Sequence, residues 1–263
     1  MFDTANIYGD GRAEELLGRA LRGEKGAKVV SKCGYVLEAT CAQDFSRKAL
    51  RQSALASLGR LGRPTLDVLL LHSPPRDVLE FGEACSVLDT LRDEGAALET
   101  GVSLRSIDDW DAAVAWPGCT VVELILNLLD QRPIDREIVD DAVRRGIRLL
   151  ARVPLNFGLL SGHHVVGTRF ASGDQRNRWP RQQLDAWITA AERFRFLEGP
   201  SRTLTQAALT FAASRPGVWA AIPGMKSQRQ VHENVAAADM LLDAHDIERI
   251  SVIWWEVRSV VPA

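Results

Sequence analysis

Short apolar runs alternate with segments of helical periodicity along this chain. The runs that predict strands cover residues 1–2, 28–31, 66–71, 97–103, 120–126, 146–153 and 218–222. The segments that predict helices cover residues 13–21, 45–61, 79–92, 107–115, 136–145, 182–197, 204–213 and 231–242. Strands that alternate with helices in this rhythm are expected to be parallel and joined by helical crossovers. Because the strand runs carry apolar residues on both faces, we expect a sheet that is buried on both sides.

Polar residues follow nearly every predicted strand at its carboxyl end. They are Asp3, Lys32, His72, Ser103, Asn127 and Arg152, followed by the turn Pro223-Gly224. Active sites of α/β barrels are built at this end of the strands. The pattern therefore favours an α/β fold, a TIM-type (β/α)8 barrel, with one domain over residues 1–263. A doubly wound open sheet is the competing architecture, although no Gly-x-Gly-x-x-Gly motif follows an early strand.

Composition narrows the class of protein. The 263 residues include 46% apolar residues and carry a formal net charge of −2, which gives no support for a nucleic-acid partner. No apolar run approaches the roughly 18 residues that a membrane span needs. The cysteines have neither metal nor disulfide spacing, which fits a reduced cytoplasm; they are Cys33, Cys41, Cys85 and Cys119. A polar insertion at residues 162–181 carries an arginine cluster, which we interpret as a solvated face or an anion-attracting rim.

Three of the strand-end residues, together with Tyr8 just after the first strand, suit proton transfer. A free phenol has a pKa of about 10, and a neighbouring ammonium group lowers that value towards the working range. Lys32 can do this for Tyr8, Asp3 can hold Lys32 in place, and His72 can orient a substrate oxygen. Each of these residues taken alone is more often a turn former, a solvated side chain or a packing residue. Their joint placement at three consecutive strand ends favours an active site.

The same residues carry a resemblance to the aldo-keto reductase family over nearly the whole chain. The segment at 2–18, Ser31-Lys32 and the Leu-Leu-His-Ser-Pro run at 70–74 look like family signatures. The resemblance implies that Asp3, Tyr8, Lys32 and His72 are the catalytic tetrad. In that case Tyr8 protonates a carbonyl oxygen as hydride arrives from NADPH.

The resemblance also implies a binding site for NADP. Its phosphate end is similar to the family pattern in two segments, where the implied contacts are Pro154, Leu155, Gly158, Leu160, Gly162, Pro223, Gly224, Lys226, Ser227, Gln230, Glu233 and Asn234. Backbone amides at a helix start, together with Lys226 and Ser227, suit a 2′-phosphate. At the nicotinamide end the implied contacts are Ser103, Glu123 and Arg152. Here the chain departs from the family, with Leu104 for an asparagine, Glu123 for a glutamine and Arg152 for a tyrosine.

The start of the chain is a further departure, because family members carry a strand and a helix before the segment at 2–18. We therefore expect seven barrel strands, with the first βα unit missing, and a homo-oligomer is one way to cover the gap. Two functions stay open. The first is a cytoplasmic NADPH-dependent reductase of a small-molecule carbonyl substrate. The second is a non-redox enzyme, catalysing enolisation, dehydration or epimerisation, or a binding subunit on the same barrel.

Overall fold

The computed structural model describes residues 1–37 and 42–260, so Cys41 and the middle of the loop at 34–44 lie outside the described residues. Within that part of the chain the strands number seven, and they are hydrogen-bonded in chain order. Their bounds are β1 Phe2–Asp3, β2 Val29–Cys33, β3 Leu66–His72, β4 Ala97–Ser103, β5 Cys119–Ile125, β6 Arg148–Arg152 and β7 Val218–Ile222. From β1 to β5, each strand pairs in parallel with the next strand along the chain, as the alternation of strands and helices predicted.

Helices follow the strands along the chain. The α-helices are α1 Arg12–Ala20, α2 Arg47–Leu61, α3 Arg76–Phe81, α4 Glu83–Asp93, α5 Trp110–Val114, α6 Arg132–Asp135, α7 Ile138–Arg145, α8 Arg181–Glu192, α9 Leu204–Ala213, α10 Gln228–Ala236 and α11 Ala244–Val257. Short 3-10 segments lie at Ile107–Asp109, Gln175–Arg178, Arg195–Leu197, Ala237–Asp239 and Arg258–Val260, and a longer, kinked one lies at Asn156–Ser161.

The chain forms two compact units. The first consists of Met1–Leu124 with Ala142–Leu150, and the second of Ile125–Asp141 with Ala151–Ala263. In the first unit every residue of β2 is buried, and β3 is buried at all positions except Asp67. Strands without a solvent-facing side are typical of a parallel sheet with helices on both faces. This burial extends to polar residues near the strand ends, including Lys32.

The close approach of β4 to β5 depends on a glycine. The register between these two strands shifts between Thr100 and Gly101. A Cβ atom on Gly101 would lie 1.7 Å from the backbone oxygen of Val121. Only glycine leaves room for this contact, which lies two residues before Ser103 and Glu123 on the two strands.

The second unit is largely helical. Helix α9 is buried along nearly its whole length and begins with a capping box, in which Thr203 and Gln206 satisfy each other's backbone amides. Helix α11 begins at the N-cap Asp243. It is tied to the start of its unit by a hydrogen bond from the Trp254 indole nitrogen to Asp135, 2.8 Å long.

The structure corrects two helix predictions. The predicted helix at 79–92 is two helices, because Gly82 has a φ of 71° and ends α3 while it begins α4. Helix α11 was not predicted, although Ile247, Ile250, Trp254 and Val257 have helical spacing. None of the helices in the described ranges is both long and apolar enough to cross a bilayer.

Candidate active site

Neighbouring strands of the first unit bring the predicted residues to one end of the sheet. Asp3 ends β1, His72 ends β3 and Ser103 ends β4, while Lys32 and Glu123 lie one and two residues before the ends of β2 and β5. His72 is the register partner of Ser103, and Ser103 is the register partner of Glu123. The parallel register therefore places polar side chains from five neighbouring strands side by side.

Lys32 lies at the centre of this group and its side chain is completely buried. Its Nζ donates to both carboxylate oxygens of Asp3, at 2.6 and 2.5 Å, and to the backbone oxygen of Thr4 at 3.1 Å. A second carboxylate, that of Glu123, is 3.2 Å from the same nitrogen. A buried ammonium group of this kind is stable only because charged and polar partners surround it.

Burial and these ion pairs shift the pKa values of the cluster. Burial raises the pKa of Asp3 to about 7; Lys32 opposes the rise and Glu123 adds to it. Burial also works against the Lys32 ammonium, but Asp3 and Glu123 outweigh it and raise the Lys32 pKa above its ordinary value. Lys32 is therefore a permanent cation at neutral pH, whereas the Asp3 carboxyl group titrates near neutrality.

Tyr8 is the accessible member of the site. The residue is 43% exposed, and its ring centroid is 5.5 Å from the Lys32 Nζ. The Tyr8 ring meets the buried His72 ring edge to face, with 6.0 Å between centroids. The structure therefore brings all four predicted catalytic residues together, and Tyr8 is the exposed one among them.

Loop residues that sequence analysis did not single out hold this arrangement. The buried Asn6 side chain donates to the Tyr35 backbone oxygen at 2.7 Å and to Ser53 Oγ at 3.0 Å, which fixes the turn between Asp3 and Tyr8. Gln43 donates from Nε2 to the His72 backbone oxygen at 3.1 Å. The Tyr35 ring lies 4.8 Å from the His72 ring. The helical and strand periodicities contain no signal for these loop contacts.

Ser103 and Glu123, which the family resemblance implied as cofactor contacts, contact each other. The Ser103 hydroxyl donates to Glu123 Oε1 at 2.8 Å, and both side chains are buried. Since Glu123 Oε2 faces Lys32, both oxygens of this carboxylate face residues of the site. Glu123 therefore joins the cluster of the four predicted catalytic residues through its contact with Lys32.

In the second unit, β6 ends at Arg152 and runs into a strained loop. Val153, Asn156 and Phe157 have φ values of 53°, 42° and 57°, which non-glycine residues rarely adopt. Asn156 is 6% exposed, and its Nδ2 has no hydrogen-bond partner among the described residues. Strain and an unsatisfied buried amide in one loop are typical of a ligand-binding segment. Here lie the predicted contacts Pro154, Leu155, Gly158, Leu160 and Gly162.

The other predicted cofactor segment follows β7 and starts α10. Lys226 and Ser227 are exposed, and Ser227 Oγ caps the helix by accepting from the Gln230 backbone amide at 3.3 Å. Gln230 in turn accepts from the Lys226 backbone amide at 2.7 Å. Glu233 accepts a hydrogen bond from Thr203, and Asn234 is buried. An exposed lysine and serine at a helix N-terminus suit an anion.

Arginines of the polar insertion make contacts within their own unit. Arg176 donates to both oxygens of Asp174, and its guanidinium carbon lies 3.9 Å from the Phe170 ring centroid. Arg181 pairs with Asp185 at 3.1 Å. Each of these two arginines therefore has a carboxylate partner within this unit, and the role of the cluster as a solvated face or an anion-attracting rim stays a prediction.

Comparison with known proteins identifies relatives over nearly the whole chain. A model of the Aldo/keto reductase family matches residues 1–254. A probable voltage-gated potassium channel subunit beta of Arabidopsis thaliana is 27% identical over 261 residues, which is 91% of this chain and 78% of that protein. The solved glycerol dehydrogenase of Gluconobacter oxydans is 26% identical with a TM-score of 0.84, covering 99% of this chain and 82% of that one.

A solved aldo/keto reductase from Klebsiella pneumoniae, in complex with NADP and acetate, is also similar. It is 24% identical with a TM-score of 0.68, and the match covers 96% of this chain and 79% of that one. These similarities confirm the predicted fold class, an α/β barrel built from parallel strands.

Proposed function

The chain belongs to the aldo/keto reductase family, and we propose that it is an NADP-dependent oxidoreductase that reduces a small carbonyl compound with Tyr8 as the proton donor. The observation that carries this proposal is the buried Lys32, which is paired with Asp3 and lies beside a half-exposed tyrosine. A phenol is a useful acid at neutral pH only next to such a fixed cation.

The residues of the chain account for the proton side of the reaction. His72 orients the carbonyl oxygen, and the Tyr8 hydroxyl gives its proton to that oxygen, which leaves a phenolate. The Lys32 ammonium stabilises the phenolate, and Asp3 keeps the ammonium in place. When bound, NADPH supplies the hydride that the carbonyl carbon accepts.

The phosphate end of NADP fits residues of the second unit. Lys226 and Ser227 at the start of α10 would hold the 2′-phosphate, through a charge and through backbone amides. The loop after β6 would hold the pyrophosphate, where the unsatisfied amide of Asn156 offers a donor. The similar Klebsiella pneumoniae reductase was solved with NADP, which supports the same cofactor here.

The substrate class proposed here is a small aldehyde, ketone or sugar. The similar Gluconobacter oxydans enzyme is named a glycerol dehydrogenase, which supports a small polar carbonyl or hydroxyl compound. Small molecules are the partners that this function requires. Cys33, Cys85 and Cys119 are free and buried, which supports the cytoplasmic location that the sequence predicted.

A second candidate function is a binding subunit, or a non-redox enzyme, on the same fold. The relative from Arabidopsis thaliana is named a channel subunit, so a chain this similar can serve in a protein complex. Glu123 favours this second function. The family resemblance implies a glutamine at this position, and a carboxylate lacks the amide donor that a glutamine would offer.

A cofactor titration separates the two. We expect the emission of NADPH to rise and saturate on addition of the protein, with NADH bound at least about tenfold more weakly because it lacks the 2′-phosphate. Lys226→Ala should weaken NADPH binding by about tenfold and leave NADH binding unchanged. Lys48→Ala is the matched control, since Lys48 is also an exposed lysine at a helix start, and it should change neither affinity. Absence of saturation at high micromolar NADPH would sink the reductase proposal.

A further inference from the structure

The Asp3–Lys32–Glu123 cluster contains one more negative group than it has cations. Lys32 lies between two carboxyl groups, at 2.5 Å from Asp3 and 3.2 Å from Glu123. The Asp3 and Glu123 side chains are only 11% and 4% exposed, and that of Lys32 is not exposed at all. Two ionised carboxylates would leave this buried cluster with a net charge of −1.

Burying an uncompensated charge is costly, and two carboxyl groups that share one site rarely ionise together. The usual outcome is that one of them keeps a proton. Lys32 neutralises the other carboxylate and remains an ammonium ion itself. With one shared proton the cluster is neutral, and its hydrogen bonds can all be kept.

The groups that face this cluster within the first unit are few. Asp3 comes from β1, Lys32 from β2 and Glu123 from β5, while Tyr8 adds a phenol above Lys32. The Ser103 hydroxyl from β4 donates to Glu123 Oε1. On β3, His72 is the register partner of Ser103, and its ring meets Tyr8. Within this set Lys32 is the permanent cation.

We propose that Glu123 is a positioning residue that acts through Lys32: with Asp3 it forms a carboxyl pair that holds one proton at neutral pH, and the loss of that proton weakens Tyr8 as an acid. The inference rests on the proposed reduction. When the pair is singly protonated, Lys32 is balanced by one carboxylate and can stabilise the Tyr8 phenolate. When the pair is fully ionised, the second negative charge offsets that effect.

The direction of the pH dependence follows from this arrangement. Raising the pH through neutrality removes the shared proton, so the pKa of Tyr8 rises and proton donation slows. Burial and Glu123, which together raise the pKa of Asp3 to about 7, point to the same range. Glu123→Gln removes one acid from the pair, so the remaining Asp3–Lys32 pair is neutral at every working pH.

Infrared spectroscopy of the protein without cofactor tests the shared proton. We expect wild type to show the carbonyl-stretch band of a protonated carboxylic acid, which shifts in D2O and disappears between about pH 6 and pH 9. Glu123→Gln should lack this titrating band. Glu99→Gln should retain it, because Glu99 is a carboxylate on β4 that pairs with Arg148 instead of Lys32.

A second variant keeps the proposal testable if Glu123→Gln does not fold. Ser103→Ala leaves both carboxyl groups in place but removes the hydrogen bond to Glu123, so the band should persist to a higher pH. The proposal is overturned if wild type has no such band, or if Glu123→Gln keeps it. Neither result depends on cofactor binding, so a failure of the reductase proposal is distinguished from a failure of this one.

Kinetics provides the functional readout. Wild-type kcat for NADPH-dependent reduction should fall by roughly three- to tenfold between about pH 6 and pH 9, and that of Glu123→Gln by less than about twofold. A purely structural role for Glu123 would lower kcat by the same factor at every pH. Identical pH profiles for the two proteins would contradict the proposed role.

Discussion

Lys32 is the residue on which the other side chains of the active site converge. Its ammonium is bound by Asp3, by the Thr4 backbone oxygen and by Glu123, and it lies beside the Tyr8 ring. Removal of this buried cation should destabilise the folded protein, because it leaves buried carboxyl groups without a counter-charge.

Replacement of Lys32 tests this account of the site. Lys32→Met should lower the free energy of unfolding by about 3–5 kcal/mol at pH 8, since two buried carboxylates lose their cation. At pH 5 the loss should be smaller, because burial raises the pKa of Asp3 and this carboxyl group can take up a proton instead. Urea unfolding of both proteins at the two pH values measures the difference.

The matched control is Lys25→Met, which changes an exposed lysine of the same unit. It should alter the free energy of unfolding by less than about 0.5 kcal/mol at either pH. If Lys32→Met were as stable as wild type at pH 8, the buried ion pairs would not hold the charges assigned to them.

Single residues also show what the sequence can reveal about a site. Asp3, Tyr8, Lys32 and His72 were predicted because their residue types and strand-end positions suit proton transfer, and the structure brings them together. The contact between Glu123 and Lys32 could not be predicted, because it depends on the register of β5 and on which way a buried side chain points.

Among the elements, β4 and β5 position Ser103 and Glu123 through their unusually close approach. Gly101→Ala would place a methyl group 1.7 Å from the Val121 backbone oxygen, so the two strands would have to separate. We expect the free energy of unfolding to fall by about 3 kcal/mol. Strand separation should also disturb the Ser103–Glu123 hydrogen bond and raise the pH at which the shared carboxyl proton is lost.

Gly59→Ala is the control for the glycine substitution. Gly59 lies inside α2, and a Cβ atom there would meet nothing within 4 Å. Alanine should therefore raise the free energy of unfolding by up to about 1 kcal/mol, since it is the better helix former. Urea unfolding of the two variants measures whether their free energies of unfolding change in opposite directions. Equal changes for Gly101→Ala and Gly59→Ala would contradict the close contact between the strands.

Element boundaries were predictable to different degrees. Apolar runs located all seven strands of the described residues, since strands of a parallel sheet are rich in apolar residues on both faces. The break between α3 and α4 was missed because Gly82 is preceded and followed by helix-forming residues, and only its φ of 71° reveals the turn. Tyr35 and Gln43 were missed because loop contacts leave no periodic pattern.

At the scale of the whole molecule, the family match over residues 1–254 fixes the fold class and the kind of chemistry. The choice of substrate and the nicotinamide contacts at Ser103, Glu123 and Arg152 stay proposals. The single domain over residues 1–263 and the homo-oligomer also stay predictions. Light scattering of the purified protein would measure its oligomeric state, and a strictly monomeric mass would contradict the homo-oligomer.

The most direct test of the central claim compares the two tyrosines of the chain in NADPH-dependent reduction of a panel of small aldehydes and ketones. Tyr8→Phe should lower kcat by about 10²–10⁴ while the affinity for NADPH changes by less than about twofold. Tyr35→Phe, which alters the other tyrosine whose ring contacts His72, should keep kcat within a few-fold of wild type. A Tyr8→Phe variant that reduces the same substrates at the wild-type rate would contradict the account.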